Sequence, residues 1–156
     1  MLGKLKARRI SEQVLSQCGG QAAQVLLFLE NLALTRFARN AIQEEATKLN
    51  SRLVLQIIVG NRLGTATVSQ LDDESLTVLV ARARMNAEAN PVRFSNPGLT
   101  EPTRYPDIEA FDSATAHYPA ERRERAVEMV CKLAESKGLS AAGAFSTGSG
   151  GVVVAN

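Results

Sequence analysis

The sequence contains few aromatic side chains, and its charges nearly balance. Aromatic residues make up 4% of the 156 residues, and tryptophan is absent. Single-stranded nucleic acids stack their bases on aromatic side chains, so this chain offers few platforms for them. Lysine and arginine total 18 against 16 acidic residues, which is too weak a bias to indicate a nucleic-acid surface. We therefore do not expect a nucleic-acid partner.

Metal-binding and nucleophilic side chains are also scarce. His117 is the only histidine, whereas a catalytic zinc commonly uses three protein ligands. Cys18 and Cys131 lie in separate predicted helices, and we interpret them as small buried thiols. A pairing of either cysteine with His117 has no local motif to support it, which leaves His117 as a loop or helix-cap residue. The residues therefore predict no catalytic, cofactor-binding or metal site in this chain.

Long apolar runs are missing as well. No stretch approaches the roughly 18 apolar residues of a membrane span, and no signal-peptide pattern follows the basic residues near the start. We therefore expect no membrane partner. With two cysteines and no Cys-x-x-Cys motif, a cytoplasmic, reducing location fits best. A length of 156 residues fits a single domain, 1–156.

Two short patterns look like binding motifs, but structural explanations fit them better. Gly148-Ser149-Gly150-Gly151 resembles a phosphate loop, yet no helix follows it, so we predict a hairpin turn. Asp72, Asp73 and Glu74 are consecutive and therefore do not share a helix face. We predict that these carboxylates begin a helix, whose N-terminus favours negative charge.

Hydrophobic periodicity predicts a helix, several strands, a helix, a long loop, a helix and two strands. The first helix ends before Gly19, the second follows Asp72, and the third begins at Pro119. The apolar residues of the first helix at roughly helical spacing are Leu5, Ile10, Val14, Leu15 and Cys18. The pattern predicts separate strands, with a turn near Asn31, in chain order 25–29, 34–37, 42–49, 52–59, 62–68, 142–147 and 152–154. Grouped strands joined by short turns predict an α+β fold, a mainly antiparallel sheet with about three helices packed against it.

Particular positions sharpen this prediction. Gly60-Asn61 is expected to close a tight hairpin, and Gly64 to mark a close backbone approach. The polar segment Ile42–Leu49 suits an exposed or edge strand. The second helix is expected to bury Leu76, Leu79, Val80, Ala83 and Ala87, the third Ala126, Val127, Val130, Leu133 and Ala134. Alternating arginine and glutamate near the start of the third helix predicts a solvated face.

Residues 91–118 form a long loop broken by Pro91, Pro97, Pro102 and Pro106. Two interpretations stay open. The loop wraps the core, anchored by Phe94, Leu99, Tyr105, Ile108 and Phe111, or it has a function of its own, as long loops inside domains often do.

Four segments in order resemble one known family. Thr35–Ile42 is similar to the "R-F-A-x-N-x-I" segment of the TldD/PmbA family, also called candidate modulators of DNA gyrase. Val59–Ala66 resembles the family's "V-x-G-x-R-x-G-x-A" hairpin, and Leu71–Glu74 the start of its next helix. Ala144–Gly148 and Val154–Asn156 resemble the paired strands that close its first domain. The resemblance covers nearly the whole chain.

The resemblance implies an N-terminal domain of a larger intracellular protein that acts on unfolded peptides. TldD-like members carry a His-Glu-x-x-x-His zinc motif and are metallopeptidases, whereas PmbA-like members lack it and pair with the first kind. This chain has no His-Glu pair, so no catalytic residue is transferred and the branch stays open. A C-terminal domain and a homologous subunit are the implied partners. The alternative is a stand-alone binding module for nucleic acid or gyrase.

Overall fold

The computed structural model describes residues 2–91, Leu99 and 109–156. These residues contain four helices and four strands. In chain order they are α1 (Lys4–Gln17), β1 (Ala23–Ala38), β2 (Ala41–Val59), β3 (Arg62–Val68), α2 (Asp73–Ala89), α3 (Ser113–Ala116), α4 (Ala120–Ser136) and β4 (Gly143–Ala155).

The strands form one sheet in the order β3-β2-β1-β4. β2 and β3 are antiparallel, with Val59 opposite Arg62 across the Gly60-Asn61 turn, as the sequence predicts. β1 and β2 are joined by the two residues Arg39 and Asn40, which only an antiparallel pair allows. The predicted α+β class is confirmed.

β4 runs antiparallel to β1 along the other edge of β1. Gly143 lies beside Phe37, and Gly148 lies beside Asn31 and Leu32, so position numbers rise in one strand as they fall in the other.

The described residues cluster into two compact units. The first comprises 2–29, 50–91, Leu99 and 151–156, and the second comprises 30–49 and 109–150. β1, β2 and β4 each contribute residues to both units. The expectation of a single domain, 1–156, stays a prediction.

The apolar core lies in the first unit, where α1 and α2 pack with the sheet. Inward-facing residues alternate along the strands, as period-two burial requires. The largest fully buried side chains of these strands are Val25, Leu27, Leu53, Leu55 and Ile57. α2 buries the whole predicted stripe, from Leu76 to Ala87.

Gly64 lets α2 approach β3 closely. A Cβ atom at this position would lie 1.9 Å from the carbonyl oxygen of Ala83 and 2.5 Å from the backbone nitrogen of Ala87. No side chain fits in that space, so the predicted close approach is confirmed.

Three predicted strand breaks are wrong. Asn31 lies inside β1 instead of turning the chain, and the predicted strands 42–49 and 52–59 are one continuous β2. The residues Gly148–Gly151 lie inside β4, so the predicted hairpin is absent. Strand pairing overrides the local turn propensity of these residues, because each segment pairs with a long neighbouring strand. At Gly148 a Cβ would lie 3.4 Å from the carbonyl oxygen of Asn31, so β4 passes close to β1.

The predicted faces of two helices also need correction. Leu5 of α1 is exposed, as are Val130 and Leu133 of α4. Val127 is buried, as predicted, and α4 buries Arg123 and Cys131 with it, at four-residue spacing. Arg123 interrupts the apolar spacing of this buried face. The sequence pattern therefore indicates the neighbouring stripe, whose residues are all apolar.

The predicted 91–118 loop contains the short helix α3 near its end. Phe111, expected to anchor the loop, is exposed. Leu99, another expected anchor, is half-buried. The expected anchors Phe94, Tyr105 and Ile108 lie outside the described residues. No helix in the described part of the chain is both long enough and apolar enough to cross a membrane.

Candidate functional site

A buried charge anchors α4 in the second unit. Arg123 is 3% exposed, and its Nη2 lies 3.3 Å from Oε2 of Glu45 on β2. Its Nη1 donates to the backbone carbonyl of Tyr118 at 3.0 Å. The other carboxylate oxygen of Glu45 accepts from the hydroxyl of Thr35, which is fully buried in β1.

This network connects three elements of the second unit, since Thr35, Glu45 and Arg123 come from β1, β2 and α4. Burying a guanidinium costs several kcal/mol unless it is paired, so Glu45 is required where Arg123 is buried. Nε of Arg123 is buried without a hydrogen-bond partner. The network therefore fixes where α4 lies.

Tyr118 supports the same end of α4 with its ring. The ring centroids of Tyr118 and Phe145 are 5.7 Å apart with the planes tilted by 51°, an attractive aromatic geometry. The backbone carbonyl of Tyr118 and its ring thus contact α4 and β4 respectively.

His117 is exposed and belongs to the C-terminal cap of α3. Its Nδ1 lies 3.0 Å from the backbone carbonyl of Ser113 and 3.3 Å from that residue's hydroxyl. The prediction of a loop or cap role for His117 is confirmed.

The two cysteines are buried, as predicted, and lie in different units. Cys18 donates to the carbonyl of Val14 at 3.3 Å. Burial raises the pKa of the Cys18 thiol, while the positive charge of Arg84 lowers it by a smaller amount. Because the thiolate is the reactive form, Cys18 is a weak nucleophile. The two predicted buried thiols therefore have a packing role.

The three consecutive carboxylates begin α2, as predicted. Asp72 is the N-cap and accepts from the backbone N–H and hydroxyl of Ser75, both at 2.9 Å. These hydrogen bonds hold the pKa of Asp72 below its ordinary value. Asp73 accepts from the side chain of Gln13 at 2.9 Å, which connects α2 to α1. No group of three metal-binding side chains occurs among residues 2–91, 99 and 109–156.

The segment 42–49 forms the part of β2 that extends beyond β3. β3 pairs only with Leu53–Val59 of β2, and β1 lies on the other side. One backbone edge of 42–49 is therefore open toward the β3 side among the described residues. The predicted edge strand is right in this respect, although it is half of a longer strand. Its side chains are mostly exposed, Leu49 at 68%.

No family model matches the sequence, and a search of curated proteins finds no match. Solved structures do match. TldE from Thermococcus kodakarensis superposes with a TM-score of 0.74 at 16% identity, covering 95% of this chain and 34% of TldE. A candidate modulator of DNA gyrase from Bacteroides thetaiotaomicron superposes with a TM-score of 0.74 at 14% identity, covering 99% and 37%. This chain has the fold of about a third of each of these two proteins.

A third structure gives the same result at lower similarity. A candidate modulator of a DNA gyrase from Thermotoga maritima has a TM-score of 0.64 at 11% identity, covering 95% of this chain and 35% of that one. The chain thus spans about a third of the length of each neighbour. Nearly the whole chain therefore has the fold of the matching part of these proteins, as the resemblance in the sequence implies.

Sequence reasoning missed the Arg123–Glu45 pair. Arg123 stands at four-residue spacing from Val127 and Cys131, and a charged residue on an otherwise apolar line is the signal that could have found it. Its partner on β2 has no such signal, because the contact joins residues 78 positions apart.

Proposed function

We propose that this chain is the N-terminal domain of a TldD/PmbA-like zinc metallopeptidase, or of its non-catalytic partner subunit, that acts on unfolded peptides in the cytoplasm. Its role is to scaffold the assembly, contact another subunit and wall a peptide channel. The observation that carries the proposal is the fold: nearly all of this chain matches about a third of each neighbour.

The composition supports a function in which residues other than these 156 hold the zinc. The single histidine, His117, is occupied at the end of α3 by Ser113. Both cysteines lie in buried packing positions. The zinc ligands of the proposed peptidase therefore belong to a segment outside these 156 residues or to the other subunit.

The open edge of β2 supports a direct contact with peptide. An extended peptide can add to a free strand edge through main-chain hydrogen bonds, which do not depend on its side chains. Such binding suits an enzyme that accepts unfolded peptides of varied sequence. Residues 42–49 are the part of β2 that offers this edge.

Site-specific photo-crosslinking tests this contact. A photoreactive amino acid replaces Leu49, and in a matched variant it replaces Met85, an equally exposed residue of α2. We expect an unfolded casein peptide to form adducts at position 49 and not at 85. A competitor peptide with alternate backbone nitrogens methylated should fail to block the reaction, because it lacks the required N–H donors. Adducts at both positions, or only at 85, would contradict the peptide contact.

A further inference from the structure

α4 exposes an apolar stripe on the side next to its buried face. Met129, Val130 and Leu133 are 71%, 50% and 63% exposed. Together with Ala126, one turn earlier, they occupy neighbouring positions at three- and four-residue spacing. We call these four residues the α4 stripe.

The charges of α4 are segregated around the helix axis. At 100° per residue, Arg125 and Lys132 border the α4 stripe on the side away from the buried face, and Arg122 lies in line with the stripe, one turn before Ala126. The glutamates lie together between these basic residues and the buried face, and they are Glu121, Glu124, Glu128 and Glu135. The interleaving that suggests a mixed surface in the sequence therefore separates into a basic and an acidic side in three dimensions.

The basic border is available for binding. Arg122, Arg125 and Lys132 are exposed, and none of them takes part in an ion pair among the described residues. The remaining arginine of this region, Arg123, is buried against Glu45 and contributes nothing to the surface.

We propose that the α4 stripe is a docking surface for an amphipathic acidic helix of another protein segment. The apolar face of that helix covers the stripe, and its carboxylates lie against the basic border. This inference rests on the proposed function, in which the chain works as one part of a larger assembly. It adds the surface that makes the contact and the chemistry of what binds there.

Charge complementarity excludes a second copy of this chain as the occupant. In a two-fold symmetric pair the same patch of both copies meets itself. In an antiparallel pair the basic border of one copy would approach the basic border of the other, and in a parallel pair Arg122, in line with the stripe, would approach its own copy. Like charges across an interface cost free energy in both cases.

An anionic membrane fits the stripe less well than a protein does. α4 carries four basic residues (Arg122, Arg123, Arg125, Lys132) and four glutamates, so it has no net charge to attract a charged lipid surface. The stripe also lacks the aromatic side chains that anchor interfacial helices. The basic and acidic sides of α4 cancel at a distance. Only a partner that packs directly against the helix would therefore respond to their separation.

Binding of two synthetic helices to the full 156-residue chain tests the proposal. Both peptides present leucines on one face, and the flanking positions are glutamate in one and lysine in the other. Fluorescence anisotropy should show binding of the glutamate peptide and at least about tenfold weaker binding of the lysine peptide. The double variant R125E/K132E should reverse that preference, because it reverses the charge of the border.

Variants of the stripe complete the test. Met129→Ser and Leu133→Ser should each weaken binding of the glutamate peptide, whereas Met85→Ser, at 66% exposure on α2, should leave it unchanged. Equal binding of both peptides, or an equal effect of Met85→Ser, would overturn the proposal. Binding to phosphatidylserine vesicles that Leu133→Ser abolishes, or a dimer in sedimentation that it dissociates, would also overturn it. None of these outcomes depends on zinc content or hydrolysis. Loss of the docking proposal would therefore not decide the proposed function, which the crosslinking and hydrolysis experiments test separately.

Discussion

The side-chain carbonyl of Asn40 accepts a hydrogen bond from the backbone N–H of Ala141 at 2.6 Å. The backbone N–H of Asn40 donates in return to the carbonyl of Ala141 at 3.3 Å, and its Nδ2 donates to the carbonyl of Leu139 at 2.9 Å. Asn40 also turns the β1–β2 hairpin at a φ of +59°. Asn40 thus adopts the left-handed backbone conformation of the hairpin, and its side chain binds the segment that leads into β4.

Asn40→Gly should therefore destabilise the protein although glycine adopts positive φ readily. The variant loses two side-chain hydrogen bonds, each contributing about 0.5–1.5 kcal/mol. Arg39→Gly is the matched control, since Arg39 has a φ of +52° and no hydrogen-bonded side chain among the described contacts. Urea unfolding should show a loss of about 1–3 kcal/mol for Asn40→Gly and none for Arg39→Gly. Equal stability of the two variants would refute the role of the Asn40 side chain.

Gly64→Ala should separate α2 from β3. The new Cβ would meet the backbone at Ala83 and Ala87, which cannot move aside as a flexible side chain does. We expect a loss of at least about 1–3 kcal/mol in unfolding free energy. Gly151→Ala is the control, because a Cβ there meets nothing within 4 Å. Chemical denaturation followed by circular dichroism measures both, and a Gly64→Ala variant as stable as Gly151→Ala would disprove the close packing.

Glu45→Gln should cost far more stability than the same change one residue earlier. It removes the charge that neutralises buried Arg123, a loss of about 1–3 kcal/mol. Glu44 pairs with Arg36 at 3.7 Å, but both side chains are largely exposed, so Glu44→Gln should change stability by less than about 1 kcal/mol. Equal losses at both positions in denaturant titrations would show that Arg123 does not depend on Glu45.

The cap at Asp72 predicts a defined pH dependence. Hydrogen bonds from Ser75 lower the pKa of Asp72 in the folded state, so the stabilisation is present above the ordinary aspartate pKa of about 3.9. It is lost as the pH falls through the lowered value. The stability difference between wild type and Asp72→Ala should therefore be constant near neutral pH and shrink in acid. Asp72→Asn, which still caps, should lack this dependence. Thermal melts across pH test it, and a difference that grows in acid would contradict the assignment.

Elements whose signals are local could be predicted from the sequence. The Gly60-Asn61 hairpin, the close approach at Gly64 and the buried stripe of α2 all follow from short-range periodicity and glycine placement. The turns predicted at Asn31 and at Gly148–Gly151 are wrong, since these residues lie inside strands. Their turn propensity is a local signal, whereas the strand pairing that overrides it joins residues far apart in the sequence.

The candidate surfaces could not be predicted from the sequence, because they depend on contacts between residues far apart in the chain. Arg123 breaks an apolar line on α4, and only the position of Glu45 on β2 explains why it is buried. Once Arg123 faces inward, the rotation of α4 exposes Leu133 and its neighbours. The exposure of the proposed docking surface thus depends on one ion pair between distant residues.

The proposed function assigns a fold and contact surfaces to these 156 residues and assigns the zinc and the hydrolysis to residues elsewhere. Purified chain is dialysed against zinc, its bound metal is measured by mass spectrometry, and the same material is assayed for cleavage of unfolded casein. We expect no stoichiometric, tightly held zinc and no cleavage. One zinc held per chain together with peptide-bond hydrolysis would contradict it.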